Sequence, residues 1–346
     1  MILYVEGRHM TSTHIDVGAI DFDALGAWMD GQGLPGGPIT GVAPVPGGTQ
    51  NVMVRFERGG RPYILRRPPV HARAKSNEVL RREARVLAAL RGTSVPAPRL
   101  VAAQTAVEPV FYLMEPVDGF NPSTGLPEPH ASDPAIRHRM GLEAAAALAE
   151  LGRVDPGLLP GFGRPEGFLE RQVPRWLKEL DSYGELDGYP GPDIPGLRKT
   201  ADWLTRRLPR TFTPGVMHGD YHFANLMFAA DGPRVAAIVD WEMCTIGDPL
   251  VDLGWLLAMW PAGNGHVPGL PPPRELVAYY AALSERDLSA IDWYAVMACF
   301  KLGIVLEGTH ARAYAGKAPR DIGDLLHATT LGLFERAGEF MEGALD

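Results

Sequence analysis

Three oxygen-bearing side chains interrupt otherwise apolar stretches at spacings that suit phosphoryl transfer. VMHGDYHFANLMF at 216–228 places Asp220 five residues before Asn225, and AAIVDWEMCTIGDPLVDLGWLL at 236–257 places Asp240 fifteen residues further on, at the end of a strand-like run. Burying charged or amide groups inside such runs is costly unless they have a task. Moving a phosphoryl group to an alcohol needs a carboxylate that orients the hydroxyl and accepts its proton. It also needs oxygen ligands that hold magnesium against nucleotide phosphates. Asp220 suits the first need. Asn225 and Asp240 suit the second, because Mg2+ takes one or two protein carboxylates beside phosphate oxygens rather than a full protein cage.

The Asp220–Asn225 spacing matches the D-x-x-x-x-N part of the kinase loop HRDxxxxN. HGDYHFAN at 218–225, followed by VDWE and then GDPLVDLG, resembles the aminoglycoside phosphotransferase and choline kinase superfamily. Within it the chain is similar to the kinase domains fused to some acyl-CoA dehydrogenases and to their free-standing bacterial relatives, over roughly residues 38–315. The resemblance implies that Asp220 is the catalytic base and that Asn225 and Asp240 bind magnesium, with Glu242 a helper. His218 would brace the loop, and Asp248 and Asp252 would hold it by hydrogen bonds. Gly47, Gly48, Thr49, Gln50 and Asn51 would form a loop over the phosphates, where glycines let backbone N–H groups approach oxygen closely. Glu83 would pair with a cation on the preceding hairpin. MEPV at 114–117 would be a hinge, with the backbones of Glu115 and Val117 facing adenine. ATP and Mg2+ are the implied cofactors.

Some positions carry two readings. His222 serves either as a contact to substrate or phosphate or as a hydrogen bond inside the loop. Glu83 is either the ion-pair partner or a solvated charge among Arg81, Arg82 and Arg85. GGTQN, taken alone, also reads as an ordinary turn. Most kinases place a lysine on the third strand, but here the run is YILRRPP, so the position falls to Arg66, with Arg67 the alternative by register. Side chains alternate along a strand, so only one of the two points inward. Arginine grips phosphate bidentately but is bulkier than lysine. The resemblance makes it a mark of the subfamily.

Periodicity supplies the elements that must hold these residues. A helix is expected at 21–31, a hairpin at 46–69 around the glycines at 59–60, a helix at 76–90 with Ser76 as N-cap, and a strand at 109–114. Helices follow at 134–151, 164–180 and 196–208. Two short strands, 215–220 and 234–241, flank the polar loop, and helices at 273–284, 290–313 and 321–342 complete the chain. Pro/Gly-rich patches at 121–129, 187–196 and 261–273 read as loops. The expected fold is α+β and two-lobed, protein-kinase-like, with a small sheet-based N-lobe at 10–117 and a mainly helical C-lobe at 118–346. ATP would lie in the cleft. Residues 1–9 read as a vector remnant with the natural start at Met10.

Composition narrows the partners. Net charge is −8, but residues 1–117 carry 13 Lys+Arg against 10 Asp+Glu while residues 118–346 carry 20 against 31. The basic first third suits phosphates; the acidic remainder argues against nucleic acid as a partner. The longest apolar stretch, near 253–260, is too short to span a bilayer, so no membrane role is expected. Cys244 and Cys299 make neither a disulfide framework nor a zinc site, which fits a reducing, cytoplasmic setting. Trp255, Met259 and Trp260 read as packing residues. No APE-like segment follows Asp240, which argues against a protein substrate. The expected partner is a small hydroxylated molecule. The resemblance favours a hydroxyacyl-CoA or related hydroxy acid derivative, an aminoglycoside or amino alcohol is the rival, and a nucleotide-binding pseudokinase scaffold is the reading from a different class. Oligomeric state does not follow.

Overall fold

The computed structural model describes residues 20–45, 51–69, 75–260 and 268–345. The chain divides into two compact units: Met1–Pro127 with Ala224–Cys244, and Glu128–Phe223 with Thr245–Asp346. The short segment carrying Asn225 and Asp240 therefore groups with the first unit.

The first unit is built on a five-stranded antiparallel sheet of order β1-β2-β3-β5-β4, from β1 (Thr40–Pro44), β2 (Val52–Arg58), β3 (Arg61–Arg67), β4 (Leu100–Gln104) and β5 (Phe111–Met114). The register pairs Val54 with Leu65, Phe56 with Tyr63, and Leu65 with Leu113. Opposed residues share a face. That face meets Leu25 and Met29 of helix α1 (Phe22–Gly31) in one apolar cluster. The opposite face carries Arg66 and Tyr112, which are paired across β3 and β5. Helix α2 (Ser76–Leu90) brings Glu83 to them. The contact with Glu83 shows which arginine faces α2: it is Arg66, while Arg67 directs Nε to the Pro68 carbonyl.

Helix α2 starts without the expected serine cap; its N-cap position is Lys75, with no side-chain hydrogen bond. Strands β1 and β4 were not legible in the sequence. Both are short, and β1 sits in a Gly/Pro-rich stretch with every residue exposed, so no alternation marks it. A second strand pair completes the unit: β7 (Leu226–Phe228) runs antiparallel to β8 (Val235–Ile238). It is joined to the preceding chain by reciprocal backbone bonds between Phe120 and Phe228 at 2.9 and 2.8 Å.

The second unit is helical. Its helices are α3 (Pro134–Gly152), α4 (Gln172–Ser182), α5 (Leu197–Arg206), α6 (Leu250–Ala258), α7 (Pro273–Leu283), α8 (Ile291–Tyr314) and α9 (Arg320–Met341). Asp133 caps α3, accepting from the backbone N–H of Ala135 at 2.7 Å. The helix expected from residue 164 begins only at Gln172, because 163–165 has no regular structure and 166–171 is a run of turns around Gly167. Helix α8 is the centre: eighteen of its residues are buried, around most of its circumference. A fully surrounded helix is apolar on every side and loses the amphipathic stripe of a surface helix. One antiparallel pair, β6 (Gly215–Met217) with β9 (Thr245–Gly247), leads into and out of the polar segments.

Candidate active site

In the helical unit, β6 delivers the chain into the loop that holds Asp220. Asp252, in the first turn of α6, clamps this loop through both carboxylate oxygens. The backbone N–H of His218 donates to Oδ2 at 2.6 Å and that of Gly219 to Oδ1 at 2.9 Å. Gly219 has φ +87°, a conformation that side chains rarely adopt, so this turn requires a glycine. The N–H of Asp220 donates to His218 Nδ1 at 3.3 Å, which makes that nitrogen an acceptor. His218 is wholly buried and braces the loop from inside. Asp248 accepts from the Leu250 N–H at 3.1 Å and from the Tyr294 hydroxyl at 2.5 Å, tying the start of α6 to α8.

Asp220 is itself buried, and both of its oxygens are engaged. Trp255 Nε1 donates to Oδ1 at 3.0 Å, and His222 Nε2 lies 3.5 Å from Oδ2. Burial alone would push this carboxyl up, but the hydrogen bond and charge of His222 outweigh it and hold Asp220 down at about 2. Asp252 goes the other way. Its complete burial outweighs the two backbone hydrogen bonds and the nearby Lys301, and its carboxyl is pushed up to about 7. Lys301 of α8 completes this shell: its ammonium lies 3.5 Å from the Gly219 carbonyl and 4.2 Å from the centroid of the Trp255 ring. Burial pushes the Lys301 ammonium down, against the charges of Asp220 and Asp252.

The sequence reading missed Trp255 and Lys301. Trp255 reads as packing, and it is buried, but its indole N–H faces Asp220. Its position three residues after Asp252 on one helix was the available signal, since i and i+3 share a face. Lys301 is the only charged residue between Asp292 and Glu307 in an otherwise apolar helical run, and a lone buried lysine needs a partner.

In the sheet unit, a 3-10 turn (Phe223–Asn225) brings Asn225 to the start of β7. The Asn225 carbonyl accepts the N–H of Val239 at 2.9 Å, which pins the residue before Asp240 to the Asn225 backbone. Asp240 has φ 67° and ψ 63°, the single non-glycine residue at positive φ among those described. Aspartate tolerates this left-handed conformation better than most residues, at a cost of order 1 kcal/mol or more. Arg66 Nη2 donates to Glu83 Oε1 at 2.8 Å and to Asp240 Oδ1 at 3.3 Å. The Tyr112 hydroxyl donates to Glu83 Oε2 at 3.3 Å. Burial pushes Glu83 up to about 7, against the lowering charge of Arg66, while the negative charges of Asp240 and Glu242 add to the rise. Glu83 is therefore an ion-pair partner and not a solvated charge.

Asp240 keeps a 39% exposed side chain, and its Oδ2 has no hydrogen-bond partner among the described residues. Asn225 and Asp240 thus offer an amide and a carboxylate on one pinned backbone, a hard-oxygen donor set that fits Mg2+. The negative charge of Glu242 reaches Glu83 and adds to the rise of its carboxyl. At the hinge candidate, Glu115 donates its N–H to the Arg99 carbonyl at 2.9 Å. The Glu115 carbonyl and the Val117 N–H have no backbone partner among the described residues, and Pro116 between them has no N–H to offer. Asn51 is buried at the start of β2, whereas Gly47, Gly48, Thr49 and Gln50 lie outside the described residues.

The architecture and these two sets of residues define a class, a kinase-like α+β fold with a mostly antiparallel sheet unit and a helical unit. Residues 41–295 match the family model described as "Phosphotransferase enzyme family", and the chain belongs to that family. Phosphotransferase chemistry and use of a nucleotide come with the family. The chain is 30% identical over 293 residues to acyl-CoA dehydrogenase family member 11 of Gallus gallus, covering 78% of this chain and 36% of that protein. It thus spans little more than a third of the curated relatives it matches. A crystal structure of a Ralstonia eutropha protein classed among the aminoglycoside phosphotransferases superposes with a TM-score of 0.77 at 27% identity, over 93% of this chain and 98% of that one. The GDP complex of an aminoglycoside 2′-phosphotransferase-IIIa mutant shares the fold at a TM-score of 0.62 and 18% identity, over 94% and 100%. No described helix is long and apolar enough to cross a membrane.

Proposed function

We propose that this chain transfers the γ-phosphoryl group of ATP, with Mg2+, to a hydroxyl of a small acyl derivative, a hydroxyacyl-CoA or related hydroxy acid derivative. The observation that carries the reaction type is Asp220, an ionised carboxylate fixed by Trp255 and His222 on a loop clamped by Asp252. A carboxyl held at about 2 is a weak base in the resting state. It suits a loose transition state, in which the acceptor hydroxyl is oriented first and gives up its proton late. Asp220 would align the hydroxyl, and His222 would keep the carboxylate from turning away.

Asn225 and Asp240 would hold magnesium, and Arg66 would face the nucleotide phosphates while Glu83 fixes its position. Bound there, the metal would neutralise charge on the phosphates. The Glu115 carbonyl and Val117 N–H would receive adenine, and 47–51 would cover the phosphates. A serviceable Arg66–Glu83 pair and an exposed Asp240 oxygen support an enzyme over a pseudokinase scaffold.

The acceptor class rests on the relatives, which are acyl-CoA dehydrogenase family members. An aminoglycoside is the second reading, supported by the 27% identical Ralstonia eutropha protein. The test is turnover of Mg-ATP against parallel panels of hydroxyacyl-CoAs, free hydroxy acids and aminoglycosides, with product identified by mass spectrometry. Phosphorylation of aminoglycosides alone would replace the acyl reading, and ATP binding with no turnover on any panel would favour the scaffold.

A further inference from the structure

The helical unit carries a second polar cluster that phosphoryl transfer does not use. Glu307 and His310 lie three residues apart on α8, and His327 faces them from α9. Residues three apart share a helix face, and a Glu-x-x-His pair on one helix is a ligand motif of di-iron carboxylate bundles, where glutamates from other helices complete the set; here the third group is a histidine. Ligand atoms of all three lie within 4.8 Å of one another. Glu307 is six residues beyond Lys301, so it sits about 9 Å further along the helix axis than the residue that touches the Asp220 loop. The cluster lines a pocket of about 410 Å³ together with Tyr314, Arg320 and Asp324.

Its details fit a ligand set. Glu307 is fully buried; its Oε2 lies 2.7 Å from His327 Nδ1 and its Oε1 accepts from the Tyr189 hydroxyl at 2.6 Å. The rings of His310 and His327 stack at 4.4 Å, 20° from parallel. His310 is nine-tenths buried, yet its Nδ1 makes no hydrogen bond; the nearest acceptor, Asp324 Oδ1, is 3.5 Å away and is paired with Arg320 at 2.9 Å. A buried ring nitrogen without a hydrogen bond is costly unless something binds it. Gly323 permits the approach of α9: a Cβ there would come within 2.5 Å of the Ala313 Cβ.

We propose that Glu307, His310 and His327 form a binding site for a divalent ion of the zinc class. Two imidazoles and one carboxylate match the borderline preference of Zn2+, whose catalytic-type sites take three protein ligands and leave a fourth position open. Ligand atoms about 2.1 Å from a metal sit roughly 3.4 Å apart in a tetrahedron, so on binding the ligand atoms close in and the two imidazoles turn out of their near-parallel stack to direct both lone pairs at one ion. Tyr189 orients the carboxylate from outside the ligand set, as such partners do in metal sites. The pocket leaves the fourth position to water or to a small ligand. Mg2+ does not suit this set, since it demands octahedral oxygen. The proposal is independent of the acceptor and of the Asp220 chemistry.

The test uses the full chain, stripped with a chelator and titrated with Zn2+, Co2+ and Mg2+. Zinc should be retained through desalting at close to one equivalent per chain by elemental analysis. Cobalt should give a visible ligand-field band, and magnesium should compete with neither. His327→Ala, at a half-buried position, and Glu307→Gln, which preserves shape, should each weaken zinc binding by about tenfold or more while thermal unfolding stays cooperative. Equal zinc retention by wild type, His310→Ala and His327→Ala would overturn the proposal, as would the absence of zinc binding below about 0.1 mM in a folded wild-type chain.

Discussion

The indole N–H of Trp255 donates to Oδ1 of Asp220 at 3.0 Å, so a residue of α6 holds the carboxylate proposed as the base. The same helix, three residues earlier, clamps the backbone on the other side of that carboxylate through Asp252. Orientation and loop shape thus come from one rigid element. Trp255→Phe keeps the packing and removes the donor. A hydrogen bond to a charged group contributes about 1.5–3 kcal/mol, so kcat should fall by roughly tenfold to a hundredfold. The KM for ATP and the melting temperature should change little. Steady-state kinetics beside a thermal melt check this; a KM effect without a kcat effect would mean that the indole serves packing alone.

The two aspartates of this region carry opposite pH dependences. Asp220 is lowered from 3.8 to about 2, so its ionised form stabilises the fold at neutral pH, and that contribution is lost as pH falls from about 4 through 2. Asp252 is raised from 3.8 to about 7, so the folded state holds a proton that the unfolded chain has released, and stability declines as pH rises from about 4 through 7. Asp252→Asn should be less stable at every pH, since an amide cannot accept both backbone bonds. It should also lose the downward slope between pH 4 and 7. Urea unfolding across that window reads the slope; an unchanged slope would place the titration elsewhere.

Arg66 and Glu83 predict a non-additive pair. Arg66→Ala leaves Glu83 buried and unpaired, a change that costs about 3–5 kcal/mol, and it should also raise the KM for ATP. Glu83→Gln alone removes the charge but not the shape. If the ion pair is the main term, Arg66→Ala combined with Glu83→Gln should recover part of the lost stability, but not the nucleotide affinity. A double-mutant cycle by chemical denaturation, with ATP titration of each variant, measures both. Additive stability losses would show that Arg66 contributes through contacts other than the one to Glu83.

The polar motifs were legible because their residue types are rare in apolar runs. HGDYHFAN and VDWE marked Asp220, Asn225 and Asp240, while the resemblance placed the strand cation at Arg66 or Arg67, of which alternation sends only one inward. The structure was needed to choose Arg66, because alternation fixes opposite faces but not which face meets α2. Strand β9 was hidden for a physical reason: three residues inside a longer apolar stretch show no period. Trp255 and Lys301 were hidden because their partners lie 35 and 82 residues away in sequence, and a buried tryptophan reads as core until its N–H is traced. The left-handed turn at Asp240 was equally silent, since nothing in VDWE signals a positive φ.

That turn separates backbone from charge. Asp240→Gly removes the carboxylate but relieves the left-handed strain, so the variant should be at least as stable as the wild type in the absence of nucleotide, by up to about 1 kcal/mol. Asp240→Asn tolerates the same φ and keeps the shape without the charge. Asp240→Ala satisfies neither requirement and should be the least stable of the three. If Asp240 holds the metal, all three should lose activity by at least about a hundredfold, and excess Mg2+ should restore little of it. The ranking of the melts tests the backbone; the uniform activity loss tests the carboxylate. An active Asp240→Asn would move the metal ligand to another residue, and Glu242, two residues on, would be the first to try.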